Sequence, residues 1–210
     1  MTAEKTIGEA TVAAVAADPR PQLARAVRQM AEVVAGVRAE DLGRPTPCAE
    51  YDVRGLLAHI IGGTHAWAEL GETGRDKEIA HEGYEQEPEG GWAGAYEEAY
   101  ARFEAAWADD AKLDRVVVVP WGTMPGRAAL AGDLMEIVTH SWDLARSIGH
   151  TGALDQELGE AALSAARRAL PTERRGEGVP FDAARTAPEG ADAYGRLAAW
   201  LGRPADWTAA

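Results

Sequence analysis

The sequence predicts an all-α protein, an antiparallel four-helix bundle with short accessory helices and one short extended segment. Three observations predict it. Apolar residues recur at helical spacing through long segments, Gly and Pro punctuate the chain between them, and a single run at 115–119 has the β-branched make-up of a strand. Long helices with short connections pack most simply as an antiparallel bundle.

The first helix is expected over 21–37, where Leu23, Val27, Met30, Val33, Val34 and Val37 form one apolar stripe. Pro45 and Pro47 impose an extended connection. Asp52 then suits the N-cap of a second helix over 53–70, because its carboxylate can accept from orphan backbone N–H groups. Residues 72–91 are acidic and Gly-rich and predict a surface loop. A third helix over 92–108 repeats Trp92, Tyr96, Tyr100, Phe103 and Trp107 at core spacing. The extended run ends at Pro120. A fourth helix starts near 125–127 and runs to 148, closed by Gly149, and a fifth covers 155–170 before Pro171. A loop at 176–188 and a short terminal helix at 192–201 complete the pattern.

A chain of 210 residues suits one domain: residues 1–19 read as an N-terminal extension and 20–210 as the bundle. Lys and Arg number 21 against 34 Asp and Glu, a net charge of −13 that repels nucleic acid and anionic lipid. No apolar run is long enough for a membrane span. The lone cysteine, Cys48, excludes an internal disulfide and a multi-cysteine zinc site, and no base stands at a diagnostic spacing from it, so packing is its expected part. The apolar patch at 10–17 is Ala-rich and flanked by acids, unlike a secretion signal, and a cytoplasmic location is expected.

The fourth helix breaks its own core pattern. Asp133, Glu136, His140 and Asp143 are spaced three, four and three residues apart and share one face. Alone, that face fits either an intrahelical Glu–His hydrogen bond or a grip on one divalent cation. The second helix favours the cation. His59 stands mid-helix among Leu56, Leu57, Ile60 and Ile61, and Gly62 and Gly63 leave room beside its ring. One His from the second helix with Glu and His from the fourth makes three protein ligands, the composition of a catalytic site with positions left for water or substrate. His65 points elsewhere around the helix, and His81 and His150 are expected in solvent.

These residues carry a family resemblance. The stretch 45–63, the run Glu136-x-x-x-His140-x-Trp142-Asp143-Leu144-Ala145 and the stretch 196–204 resemble, in order, the DinB/YfiT-like four-helix metalloproteins. The branch is the one similar to the N-terminal domain of mycothiol-dependent maleylpyruvate isomerase. The resemblance implies a bundle with a divalent metal on His59, Glu136 and His140. It implies an active-site part for Asp143 and a reaction of the thiol transferase or isomerase type with mycothiol as cosubstrate. Zinc leads as the metal, with Ni, Fe and Mn accepting the same donors. Gly55 stands where the family often has an acid, and ending at Ala210 the chain is expected to lack the large C-terminal domain of the full isomerase. Arg54 or Arg127 could attract an anionic substrate. Expected partners are a small-molecule substrate and a low-molecular-weight thiol, on a monomer or homodimer, without nucleic acid or membrane. Two further functions stay open: a thiol-free metal-dependent hydrolase or cyclase, and a non-catalytic, metal-stabilised binding module.

Overall fold

The structure, a computed structural model, describes residues 18–75, 86–174 and 181–209. Nearly all of the expected N-terminal extension, His81 and part of the acidic loop lie outside the described residues. Seven helices and one hairpin follow in order: α1 (Arg20–Ala35), α2 (Val53–Thr73), α3 (Gly91–Trp107), a single turn α4 (Ala111–Asp114), β1 (Val116–Val119), β2 (Gly122–Pro125), α5 (Gly126–Ile148), α6 (Gln156–Ala169) and α7 (Ala193–Trp200). The fold is all-α apart from that two-stranded sheet.

The four bundle helices are α1, α2, α3 and α5: α2 packs on α3, α3 on α1, α1 on α5, and α5 closes the ring against α2. One apolar cluster, around Met30, Leu57, Ile61 and Tyr96, fills the bundle at one end. A second, around Trp107, Leu130, Leu158 and Tyr194, ties the other end to α6, α7 and the hairpin. Tyr100 and Ile137 touch both clusters. Both are made of helix faces that would otherwise expose apolar stripes, and their removal from water is the main source of stability.

Local chemistry sets the helix ends. Asp52 caps α2 by accepting from the Gly55 N–H at 2.8 Å, as expected, and Gly74 ends the helix in a left-handed conformation with φ 81°. That end lies three residues beyond the expected 70, so the acidic segment begins later than its composition suggested. Asp155 and Asp192 cap α6 and α7 in the same way.

The extended run is β1, and it has a partner that the sequence reading lacked. Val119 pairs with Gly122 and Val116 with Pro125 in an antiparallel register around a Pro120–Trp121 turn. Residues 122–125 carry no alternating apolar pattern and merge into the start of α5, which hid the second strand. The turn α4 was also unanticipated. Trp107 locks this corner to α2: its Nε1 donates to the Trp67 carbonyl at 2.9 Å. Two glycines make room for it. A Cβ at Gly126 would stand 2.3 Å from the Lys112 carbonyl oxygen and 2.8 Å from the Trp107 ring, and one at Gly71 would stand 2.7 Å from Trp107 Nε1. Among the described residues, no helix is long and apolar enough to cross a membrane.

Candidate metal centre

His59 on α2 and the pair Glu136 and His140 on α5 meet at the seam between the two helices. Glu136 and His140 stand one turn apart on one face of α5, so both point at α2. His59 comes from 77 residues earlier, and its Nε2 lies 2.9 Å from Glu136 Oε1. His140 Nε2 lies 3.0 Å from the same oxygen. One donor atom from each of the three residues falls within 4.8 Å of the others. The two rings stand edge to face with centroids 5.0 Å apart.

Each imidazole is held from behind. His140 donates from Nδ1 to Asp143 Oδ2 at 2.9 Å, which directs Nε2 into the centre. The Tyr51 ring stacks on His59 with centroids 5.0 Å apart, and the Tyr51 hydroxyl lies 3.4 Å from His59 Nδ1. Asp143 is fully buried and is itself gripped by Arg203, whose Nε and Nη2 donate to it at 2.8 and 2.9 Å. The side chain of Glu136 is 38% exposed, against 6% for His140, so the centre opens to solvent at the carboxylate.

The electrostatics follow from this packing. Burial opposes ionisation of Glu136, but His140 and His59 outweigh it and hold the carboxyl well below its ordinary range. Burial likewise pushes the His140 imidazole down, and Glu136 and Asp143 reverse that and raise it to about 9. Without metal the trio is therefore a carboxylate bridging two N–H donors.

The donor set fits a divalent cation. Two imidazole nitrogens and a carboxylate oxygen converge, and their spacing asks only small side-chain adjustments to surround an ion with bonds of roughly 2.0–2.2 Å. A carboxylate behind one imidazole is the support that orients metal-binding histidines.

The other residues singled out by sequence lie elsewhere. Asp143 stands behind His140, shut off from the open side. Asp133 is buried, its Oδ2 without a hydrogen-bond partner, and burial, then the charge of Glu136, raises its carboxyl well above the usual range. Gly63 faces open space, whereas Gly62 is packed inside. His65 has its Nδ1 buried away from the centre, and burial lowers its imidazole. Cys48 is half-buried, and burial pushes its thiol up, as suits a packing group. Arg127 is paired with Asp114 at 2.6 Å. Sequence reasoning missed Arg203 and Tyr51. Both lie inside the recognised stretches, but neither contact follows from helical spacing.

Fold and donors together define a class: a helical bundle carrying a His–Glu–His group that could hold one metal ion across two of its helices. Residues 23–145 match the model of the mycothiol maleylpyruvate isomerase N-terminal domain, and the chain belongs to that family. Uncharacterized proteins from two strains of Mycobacterium tuberculosis, CDC 1551 / Oshkosh and H37Rv, are each 32% identical over 186 residues, covering 89% of this chain and 98% of theirs. Among solved structures, a histidine-to-alanine mutant of the mycothiol-dependent maleylpyruvate isomerase shares the fold, with a TM-score of 0.55 at 16% identity. That match covers 70% of this chain and 66% of the isomerase chain.

Proposed function

We propose that this protein is a divalent-metal-dependent enzyme of the thiol transferase or isomerase type, with a mycothiol-like thiol as cosubstrate and zinc as the first choice of metal. The observation that carries the reading is the convergence of His59, Glu136 and His140, from two helices, within 4.8 Å. Family membership supports the thiol.

A divalent ion held by these three side chains supplies Lewis acidity, lowering the pKa of a thiol or water brought to it. The protein's own residues do the rest. Asp143 fixes the His140 tautomer so that Nε2 is the inward atom, and Arg203 keeps Asp143 oriented. Tyr51 positions the His59 ring. Asp143 is thus a positioning residue in this reading. Glu136, the exposed member, marks the side from which substrate arrives. An open side favours catalysis over a purely structural ion, whose coordination would be closed.

The test is elemental analysis of purified protein beside His59→Ala and His140→Ala, followed by assays on a panel of electrophiles with and without mycothiol. One equivalent of metal in the wild type, lost in both variants, together with thiol-dependent turnover is expected. Equal metal content in all three would remove the site, and turnover indifferent to thiol would remove the thiol chemistry.

A further inference from the structure

Burying a carboxylic acid in a helical bundle is costly unless something answers its charge. Among the described residues, three aspartates are buried: Asp41, Asp133 and Asp143. Asp41 is paired with Arg38 and Arg44, and Asp143 with Arg203 and His140. Asp133 has no such cation, and its Oδ2 accepts no hydrogen bond. Its place is specific. It precedes Glu136 by three residues on the same face of α5, about 4.5 Å of rise from that candidate metal donor. It is not a fourth donor, since the atoms that gather within 4.8 Å belong to His59, Glu136 and His140.

Few titratable groups face Asp133. Glu136 acts on it from its own helix, and Tyr96 and Tyr100 on α3 feel its charge. Among the described residues, no charge on α1 or α2 acts on it. The Tyr96 hydroxyl is also buried without a partner, so an uncommitted donor stands on the α3 side. In the metal-free protein, burial and the Glu136 charge both favour the protonated acid.

A divalent ion reverses that balance. Its double charge exceeds the single charge of Glu136, and Asp143 is already answered by Arg203. The positive charge left over stands beside a buried, uncommitted acid and favours carboxylate at Asp133. A thiolate at the ion supplies the same negative charge and makes that carboxylate redundant.

We propose that Asp133 is the internal proton acceptor of the centre. A thiol arriving at the ion gives its proton to the Asp133 carboxylate: the S–H bond breaks, an O–H bond forms, and the thiolate keeps the electron pair. One bridging water carries the proton across the helical turn. The inference rests on the metal and thiol reading above and adds to it where the proton goes.

Infrared difference spectroscopy reads the C=O stretch of a buried, protonated carboxyl directly. In the wild type that band should be present without metal, vanish on zinc loading and return when mycothiol is added. Asp133→Asn should lack it throughout. Isothermal titration calorimetry in buffers of different ionisation enthalpy counts the proton, at about pH 6, where zinc-bound water stays undissociated. Mycothiol binding should release no proton from the zinc-loaded wild type and about one from Asp133→Asn. The wild-type spectra and proton count decide the matter even where the variant does not fold. Zinc-loaded protein that binds mycothiol with the band unmoved, or with a full proton released, overturns the acceptor and leaves the metal and thiol reading standing. Protein that retains no zinc by elemental analysis, or shows no thiolate-to-metal charge transfer with cobalt in its place, overturns that reading and this inference with it.

Discussion

The Arg203 guanidinium grips the Asp143 carboxylate at 2.8, 2.9 and 3.1 Å, beneath the His140 imidazole and almost wholly out of water. The pair joins the segment after α7 to the C-terminal half of α5, so the C-terminal part of the chain braces the candidate centre without reaching it. Without the guanidinium, that carboxylate keeps the His140 N–H as a partner but has no solvent around it.

Arg203→Met should therefore cost about 3–5 kcal/mol, the usual penalty for stranding a buried charge. Urea unfolding of the metal-free protein reads it directly. A loss below about 1 kcal/mol would mean that Asp143 finds water or another donor, as an exposed pair would.

The His140 imidazole makes a pH prediction with a definite sign. Its folded value, about 9, lies above the ordinary 6.5, so its interactions stabilise the metal-free fold fully below about 6.5 and are lost as pH climbs through 9. The loss is on the order of 3 kcal/mol. Thermal melting of metal-free protein should fall more steeply between pH 7 and pH 10 for the wild type than for His140→Gln. Parallel curves would show that the imidazole is not held charged.

Asp133 shifts stability in the same direction, beginning at lower pH. Its carboxyl is raised by burial, so the unfolded chain releases its proton first and the fold loses stability as pH rises above the ordinary 3.8. Asp133→Asn, which cannot ionise, should match the wild type near pH 4 and melt higher at pH 8. A variant that melts lower at both values would point to a hydrogen bond that only the acid makes.

Gly126→Ala should destabilise by about 1–3 kcal/mol, because its methyl group would press on the Lys112 carbonyl and the Trp107 ring. Gly63→Ala, facing open space, should be neutral or stabilising in a helix. Chemical denaturation of the two variants side by side separates close packing from helix propensity.

Much of the architecture was legible because helices announce themselves locally. The stripe from Leu23 to Val34, the Asp52 cap and the aromatic repeat from Trp92 to Trp107 each depend only on residues within one element, and each is a face or an end in the fold. The nearness of Glu136 to His140 was readable for the same reason: four residues are one turn. The second strand was not, since residues 122–125 are ordered by pairing with β1 and not by any pattern of their own.

What spacing could not supply is anything that crosses between elements. That Asp133, on the same face as Glu136, turns into the core while Glu136 reaches the α2 seam is decided by how α5 packs against both α1 and α2. That Arg203 lies under Asp143, and that Trp121 comes down beside Trp67, is decided by where α7 and the hairpin dock. Periodicity is a property of one helix and survives in the linear order of residues. Partnership across 60 or 77 residues arises only when the whole core closes, because many weak apolar contacts jointly choose the register in which those polar groups meet.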